Sequence, residues 1–215
     1  MRDGTDEDTE MPERNDNHGR NDLNPCLRGE VDPQACIGLL ELCSVARGVE
    51  VADAVLKEAP IDLLFAEPVQ PGKYVLLFTG GVQDVAASLR RGAELAGADL
   101  VDRLQIPQVH DQVPVALKRR GGTIEGQLDA VGVVETRTVA SAVLAADLAV
   151  KTASVDLIEL RIANGLGGKS FFTLTGEVSD VRASVQAAAR QADAAGHLAR
   201  EVVIPRPHPD LTRHL

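Results

Sequence analysis

The sequence predicts an α+β protein of two tandem ferredoxin-like domains, each with the element order β-α-β-β-α-β. Three observations lead to this fold class. The chain repeats itself after roughly a hundred residues. Each copy alternates between strand-like and helix-like apolar spacing in the same order. The apolar content of 44% is sufficient for two packed cores. A long period with only two copies indicates a domain pair rather than a solenoid.

The duplication extends over two long segments. Residues 37–64 align with residues 131–158 at eleven identities in 28 positions, and residues 72–89 align with residues 168–185 at nine in 18. The motif IPQVH, which closes the first copy, returns as IPRPH in the second. The predicted organisation is a tail, a first domain, a linker and a second domain, at residues 1–33, 34–112, 113–129 and 130–215.

In the first copy, an apolar run predicts a strand, and Ser44 is a suitable N-cap for the helix that follows. That helix must end before Pro60, because proline cannot continue it. A tight turn with two prolines and a glycine joins the next two strands. A second helix stops at Gly97, and a last strand follows. The predicted bounds are 35–42, 45–59, 61–66, 74–78, 82–97 and 100–106.

The second copy repeats these elements in the same order. Its strands and helices are predicted at residues 131–135, 139–153, 155–162, 170–174, 178–195 and 198–204. The linker between the copies is basic, contains glycine and shows little periodicity. We therefore predict an irregular connection there.

Composition and charge exclude several classes of protein. The net charge of −10 argues against nucleic-acid binding, which needs a basic face. No apolar run is long enough to span a membrane, and the N-terminus lacks the apolar segment of a signal peptide. Cys26, Cys36 and Cys43 show no paired metal-ligand spacing. We interpret them as free thiols of a reducing cytosol and predict no metal site.

The acidic charge is concentrated at the N-terminus. Residues 1–33 contain ten acidic residues against four arginines and few apolar side chains. Such a segment cannot bury enough surface to offset its ordering entropy, so it is predicted to be a disordered, solvating tail. The alternative is a docking arm for a partner.

No catalytic constellation emerges from the sequence, so we predict that the protein is not an enzyme. The segment GLGGKS lacks the glycine spacing of a phosphate-binding loop and precedes a strand rather than a helix. Its glycines are better explained by a tight connection with positive φ. His110 and His208 are repeat-equivalent, which indicates a shared structural role. Glu41 and Glu135 are interpreted as hydrogen-bonded structural carboxylates.

Several segments resemble one known family, in order and in both copies. They are GLLELCSVARGVEVADAVLKEAPIDLL, VETRTVASAVLAADLAVKTASVDLI, GGKSFFTLTGEVSDV and the closing VIPRPH. These segments are similar to bacterial microcompartment shell proteins of the tandem-domain, trimer-forming class. The resemblance covers about residues 35–215 and leaves out the tail and most of the linker. It implies a flat, pseudo-hexameric trimer that tiles the shell of an organelle in the bacterial cytoplasm.

The resemblance also implies residue roles. The loops between the second and third strands of each copy would line a central pore, at Val69, Gln70, Pro71, Gly72, Asn164, Gly165, Leu166, Gly167 and Gly168. Lys57, Lys151 and Arg206 would be contacts at the tile edge. Gln108 replaces the corresponding arginine of the first copy, so one edge contact departs from the family pattern. In a propanediol-utilisation member, a pore-loop cysteine binds an iron–sulfur cluster. Gln70 stands there in this chain, so no cofactor is expected.

The resemblance therefore implies a structural shell protein, and we expect its trimeric tile to have a central pore for small polar metabolites. Its predicted partners are two further copies, other shell proteins and enzymes inside the compartment, with neither nucleic acid nor membrane. One alternative from another class stays open at this point. A tandem ferredoxin-like sensor would bind a small regulatory ligand at its domain interface.

Overall fold

The computed structural model describes residues 36–118, 128–163, 165–212 and 214–215. The predicted acidic tail, Cys26 and Asn164 lie outside these ranges. The first domain contains β1 Cys36–Leu42, α1 Val45–Glu58, β2 Ile61–Val69, β3 Lys73–Gly80, α2 Val82–Ala96, a 3-10 turn Gly97–Asp99 and β4 Leu100–Ile106. After α3 Gln112–Lys118, the second domain contains β5 Ala130–Thr136, α4 Val139–Thr152, β6 Val155–Ile162, β7 Ser170–Gly176, α5 Val178–Ala194, β8 Leu198–Pro205 and α6 Pro209–Thr212.

The predicted α+β fold is confirmed in both copies. Each domain has a four-stranded antiparallel sheet, in the orders β2-β3-β1-β4 and β6-β7-β5-β8. The capping prediction also holds. The Ser44 hydroxyl accepts the Arg47 N–H at 3.3 Å, and the Thr138 hydroxyl accepts the Ser141 N–H at 3.2 Å. These side chains satisfy amide donors that the first turn of each helix leaves open.

The first sheet is buried on both faces, because alternate residues of a strand point in opposite directions. Leu40 and Leu42 pack into a core with α1 and α2 of their own domain. Ile37 and Leu39 point to the other face and belong to the core that contains α4 of the second domain. The two domains therefore share a continuous apolar interface.

Helix α2 approaches β1 closely at Gly92. A Cβ atom there would collide with Leu40 Cδ1 and would lie 2.8 Å from Val55 Cγ1. In the second copy the corresponding residues are Ala188 and Val134, so a larger helix residue faces a smaller strand residue. The same helix–sheet contact is therefore filled by different side chains in the two domains.

The prediction of an irregular linker is wrong for its first part. Residues 112–118 form α3, which packs on β6 of the second domain. Val113, Ala116 and Leu117 are buried and recur at helical spacing, i, i+3 and i+4. The burial of this short apolar stripe against β6 explains why a helix forms where the sequence suggested a connection.

Candidate functional site: pore loops and assembly surfaces

The predicted pore loops are the two strand connections β2–β3 and β6–β7. Glycine makes both turns, with φ of 100° at Gly72 and 88° at Gly168. Side chains with a Cβ atom are disfavoured at such angles, so the expectation of positive-φ glycines is confirmed. The second connection is longer and contains two further glycines with positive φ, Gly165 and Gly167.

The two loops lie against each other, although about a hundred residues separate them in the chain. The Gly165 N–H donates to Gln70 Oε1 at 3.2 Å. A Cβ atom on Gly168 would lie 2.8 Å from Pro71 Cδ, so the Gly168 backbone lies close against the Pro71 ring. Lys73 Nζ donates to the Gly168 carbonyl at 3.3 Å. Each chain therefore presents its two loops as one joined surface.

The loop residues differ in how they could face a channel. Gln70, Pro71, Gly72, Gly165 and Gly167 are exposed, and Leu166 is half-buried. Gly168 is buried by the first loop, and the Val69 side chain is only 4% exposed within the core. Asn164 lies outside the described residues. In this chain Val69 therefore anchors its loop, and its side chain offers no surface to a channel.

The loops do not fit an iron–sulfur cluster. Such clusters are held by cysteine thiolates, whereas Gln70 offers a neutral carboxamide whose oxygen already accepts the Gly165 N–H. Cys36 is buried in β1, and Cys43 donates its thiol to Asp99 Oδ1 at 3.5 Å. Among the residues that the structure describes, no group of three or more His, Cys, Asp or Glu could hold a metal ion.

A buried carboxylate joins the two domains beside these loops. Glu41 of β1 is 0% exposed and forms an ion pair of 2.7 Å with Lys73. Its second oxygen accepts the Val139 N–H, at the start of α4, at 2.7 Å. Burial raises the pKa of Glu41 above its ordinary value of 4.5, although Lys73 and the α4 amides lower it. The prediction of a hydrogen-bonded structural carboxylate is confirmed, but its role between domains could not be read from the sequence.

The repeat-equivalent of this pair lies on the second sheet and is more open. Glu135 and Lys169 form an ion pair of 2.9 Å, with side chains 35% and 51% exposed. Nearby on the same face, Val202 of β8 is 43% exposed, whereas its equivalent Leu104 is 6% exposed beneath α4. The second sheet therefore carries the same ion pair and apolar position as the first, and no helix among the described residues covers them.

On the helices it is the first domain that is exposed and the second that is buried. Val45, Val49 and Leu56 form a stripe along α1 and are 40%, 56% and 46% exposed. The equivalent residues of α4 are buried against the first sheet: Val139, Val143 and Val150 are 0%, 0% and 8% exposed. An exposed stripe of this kind marks an interaction surface. We call Val45, Val49 and Leu56 the α1 stripe.

The predicted edge residues occupy different surroundings. Lys57 is 74% exposed and forms an ion pair of 2.6 Å with Asp53, whose side chain is 64% exposed. Lys151 pairs with the buried Asp147 at 2.6 Å and donates to the Gln108 carbonyl at 2.5 Å. Lys151 therefore already contacts the first domain within its own chain. Because that contact uses the backbone of Gln108, the change from arginine at this position does not remove it.

Arg206 is exposed and has a φ of 47°, in the left-handed region that non-glycine residues seldom adopt. Its N–H donates to the Asp129 carbonyl at 2.7 Å, which holds the end of β8 against the start of β5. The two histidines that follow the last strands share a structural role, as predicted. Each Nδ1 accepts an amide N–H two residues on, at 3.3 Å for His110 and 3.2 Å for His208.

The domain interface contains apolar side chains where a sensor would need space for its ligand. Leu104 and Ile106 of β4 lie in one core with Val139 and Val143 of α4. A surface groove of about 720 Å³ lies elsewhere, between α5 and β8. Within the described ranges, no helix is long and apolar enough to cross a membrane.

A pair of α+β domains fused in one chain, with joined strand connections and an exposed apolar stripe on α1, defines a tandem-domain α+β protein. Comparison with known proteins identifies the family. A profile described as BMC domain matches residues 36–109 and 130–207, once in each copy. The chain belongs to the BMC-domain family of bacterial microcompartment shell proteins.

The relatives agree with this assignment. The chain is 41% identical to the bacterial microcompartment shell protein PduT of Citrobacter freundii, over 83% of this chain and 96% of that protein. It is 38% identical to the shell protein PduA of Salmonella typhimurium over 41% of this chain and 93% of PduA. A crystal structure of a microcompartment protein from Desulfitobacterium hafniense DCB has 47% identity and a TM-score of 0.72, over 84% and 99% of the two chains. PduT and PduA are shell proteins, and this chain is a shell protein rather than an enzyme.

Proposed function

We propose that three copies of this chain close into a pseudo-hexagonal tile with a central pore. The α1 stripe carries the proposal, because it is exposed where the equivalent surface of α4 is buried. The contact between α4 and the first sheet provides the template. In the ring, the α1 stripe of each copy covers the second sheet of its neighbour in the same way. Six domains supplied two at a time require three chains, and the head-to-tail contacts close on themselves.

The ends of this contact are polar and complementary. Glu41 accepts the first N–H of α4 within the chain, so Glu135 takes the first N–H of α1 from the next copy. Lys73 donates to the Arg137 carbonyl at 3.3 Å as well as to Glu41. Lys169 is the repeat-equivalent of Lys73, so it would make the corresponding contacts with the next copy. Helix N-termini favour negative charge, which suits a carboxylate at each such boundary.

The joined loops then meet around the ring axis. The exposed Gln70 side chain and the backbone groups around Gly72, Gly165 and Gly167 would offer neutral donors and acceptors to the channel. Asn164, outside the described residues, would add a further carboxamide. We therefore assign the pore to small polar molecules, selected by size and hydrogen bonding. It would contain no iron–sulfur cluster, because Gln70 is no thiolate ligand.

The outer rim would join tiles to each other and to other shell proteins, with enclosed enzymes on one side. Lys57, Lys151 and Arg206 belong to that rim by resemblance. Lys57 is the more exposed of the two lysines, at 74% against 40% for Lys151. A Lys57→Asp variant should keep its oligomeric mass but lose extended sheets or tubes in electron micrographs of overexpressing cells. If extended protein sheets or tubes persist unchanged in the variant, the assignment of Lys57 to the rim is wrong.

The oligomeric state tests the proposal directly. Light scattering of the purified protein should give three times the 22.8 kDa of one chain. Val49→Asp, in the α1 stripe, should shift the mass toward the monomer because it places a charge in an apolar contact. Val82→Asp is the matched control, since Val82 is 45% exposed on α2 outside the stripe. A monomeric wild-type protein, or a Val49→Asp variant as trimeric as the control, would contradict the proposed ring.

A further inference from the structure

The segment that follows the last strand of the first domain covers an edge of the second sheet. Gln112 of α3 bridges two backbone groups of β6: its Nε2 donates to the Val155 carbonyl at 3.1 Å, and its Oε1 accepts the Leu157 N–H at 2.7 Å. Val113, the next residue, is 0% exposed. The side-chain amide thereby satisfies backbone groups that an edge strand would otherwise present to other chains.

The segment that follows the last strand of the second domain has the same local geometry. The His208 imidazole accepts the Asp210 N–H at 3.2 Å, as His110 accepts the Gln112 N–H at 3.3 Å. The next amide donates to the histidine carbonyl in both copies, at 2.9 and 3.0 Å. Residues 208–212, which we call the C-terminal segment, are therefore already shaped like the start of α3.

The surfaces that would pair are uncovered in a single chain. Leu211 of the C-terminal segment is 41% exposed, whereas the equivalent Val113 is buried. On the edge strand of the first sheet, Ile61 and Leu63 are half-buried, whereas the equivalent residues of β6 beneath α3 are buried. The second domain thus carries the shaped segment, and the first domain carries the matching strand edge.

We propose that the C-terminal segment of each copy docks on the β2 edge of the next copy. The Asp210 carboxylate accepts the Leu63 N–H, and Leu211 packs on Ile61 and Leu63. A second copy is the occupant because the domain that precedes the first domain around a ring is the second domain of another chain. This inference rests on the proposed trimer and adds a surface that the α1 stripe does not include.

The chemistry of residue 210 makes this contact weaker than its template. A glutamine side chain both donates and accepts, whereas a carboxylate only accepts. Asp210 can therefore take the Leu63 N–H but cannot donate to the Ile61 carbonyl. Asp210→Gln, which copies Gln112, should add the missing hydrogen bond and tighten the docking.

Hydrogen exchange of the assembled full chain tests the contact. Exchange is measured by mass spectrometry on peptides that cover residues 61–66 and 155–160. Asp210→Ala and Leu211→Asp should each accelerate exchange in residues 61–66 by about tenfold, while residues 155–160 stay unchanged as an internal control. Gln112→Ala should instead accelerate exchange in residues 155–160 and leave residues 61–66 unchanged. Asp210→Gln should slow exchange in residues 61–66.

The outcomes separate this inference from the proposed ring. A trimer whose exchange in residues 61–66 is unaffected by Asp210→Ala, Leu211→Asp and Asp210→Gln would overturn the docking of the C-terminal segment and leave the ring intact. A wild-type protein that is monomeric at micromolar concentration would overturn both. If Leu211→Asp dissociates the trimer, the milder Asp210 variants still report on the contact within an intact ring.

Discussion

The Glu41 carboxylate accepts a hydrogen bond of 2.7 Å from the N–H of Val139, the first residue of α4. One buried side chain of the first sheet thus caps the helix of the other domain. The same carboxylate forms an ion pair with Lys73, which reaches the β6–β7 loop through the Gly168 carbonyl. Domain docking and loop position are therefore coupled through a single charged group.

The pH dependence of stability should reflect Glu41. Burial raises the pKa of Glu41 in the fold, so the folded state binds a proton more tightly than the unfolded chain. The stabilisation by this proton is complete below the ordinary pKa of 4.5 and is lost as pH rises through the raised value. We compare melting temperatures of the wild type and Glu41→Gln from about pH 4 to pH 8. The advantage of the wild type should shrink as pH rises; a constant or growing advantage would contradict the assignment.

Glu135 should matter for assembly rather than for the fold of one chain. Glu135→Ala removes the carboxylate that would cap α1 of the next copy, so trimer dissociation should occur at about tenfold higher protein concentration or more. Glu201→Ala is the matched control. Glu201 pairs across from Val134, one residue before Glu135, and so points to the opposite face of the sheet. A dilution series followed by light scattering measures both variants, and equal dissociation of the two would rule out the cap.

The close approach of Gly92 to Leu40 predicts a compensating pair. Gly92→Ala should lower the free energy of unfolding by about 1–2 kcal/mol, because overpacking outweighs the better helix propensity of alanine. Adding Leu40→Val should recover part of the loss, since the second domain combines Ala188 with Val134. Urea unfolding measures both effects. If the second substitution only adds a further loss, the two side chains do not compete for the same space.

Gln70 should decide whether the loops can hold an iron–sulfur cluster. The wild-type protein should take up no stoichiometric iron or sulfide after anaerobic reconstitution. Gln70→Cys should acquire a cluster, because three copies around the axis would supply three thiolates. Iron and acid-labile sulfide contents are the measurements, with visible absorbance as a second readout. A cluster in the wild type would mean that other residues are the ligands. If the Gln70→Cys variant acquires no cluster, residue 70 does not face the axis.

The sequence by itself determined the β-α-β-β-α-β elements of each copy and their order. Apolar periods of two and 3.6 residues, Ser44 and Thr138 as N-caps, and Pro60 and Gly97 as stops are local signals, and each depends on a few neighbouring residues. The duplication then extended the assignment of one copy to the other. The joined loops were also foreseeable as glycine turns, because positive φ is a local backbone property.

Only the tertiary structure decided which surfaces are covered. Val45 and Val139 are the same residue type at the same repeat position, yet one is 40% exposed and the other 0%. Glu41 and Glu135 differ in the same way, and α3 forms because β6 buries its apolar side. Burial depends on contacts between residues far apart in the chain, so two nearly identical local sequences can have opposite surroundings. That difference, set by which domain comes first, leaves α1 and the second sheet open for a neighbouring copy.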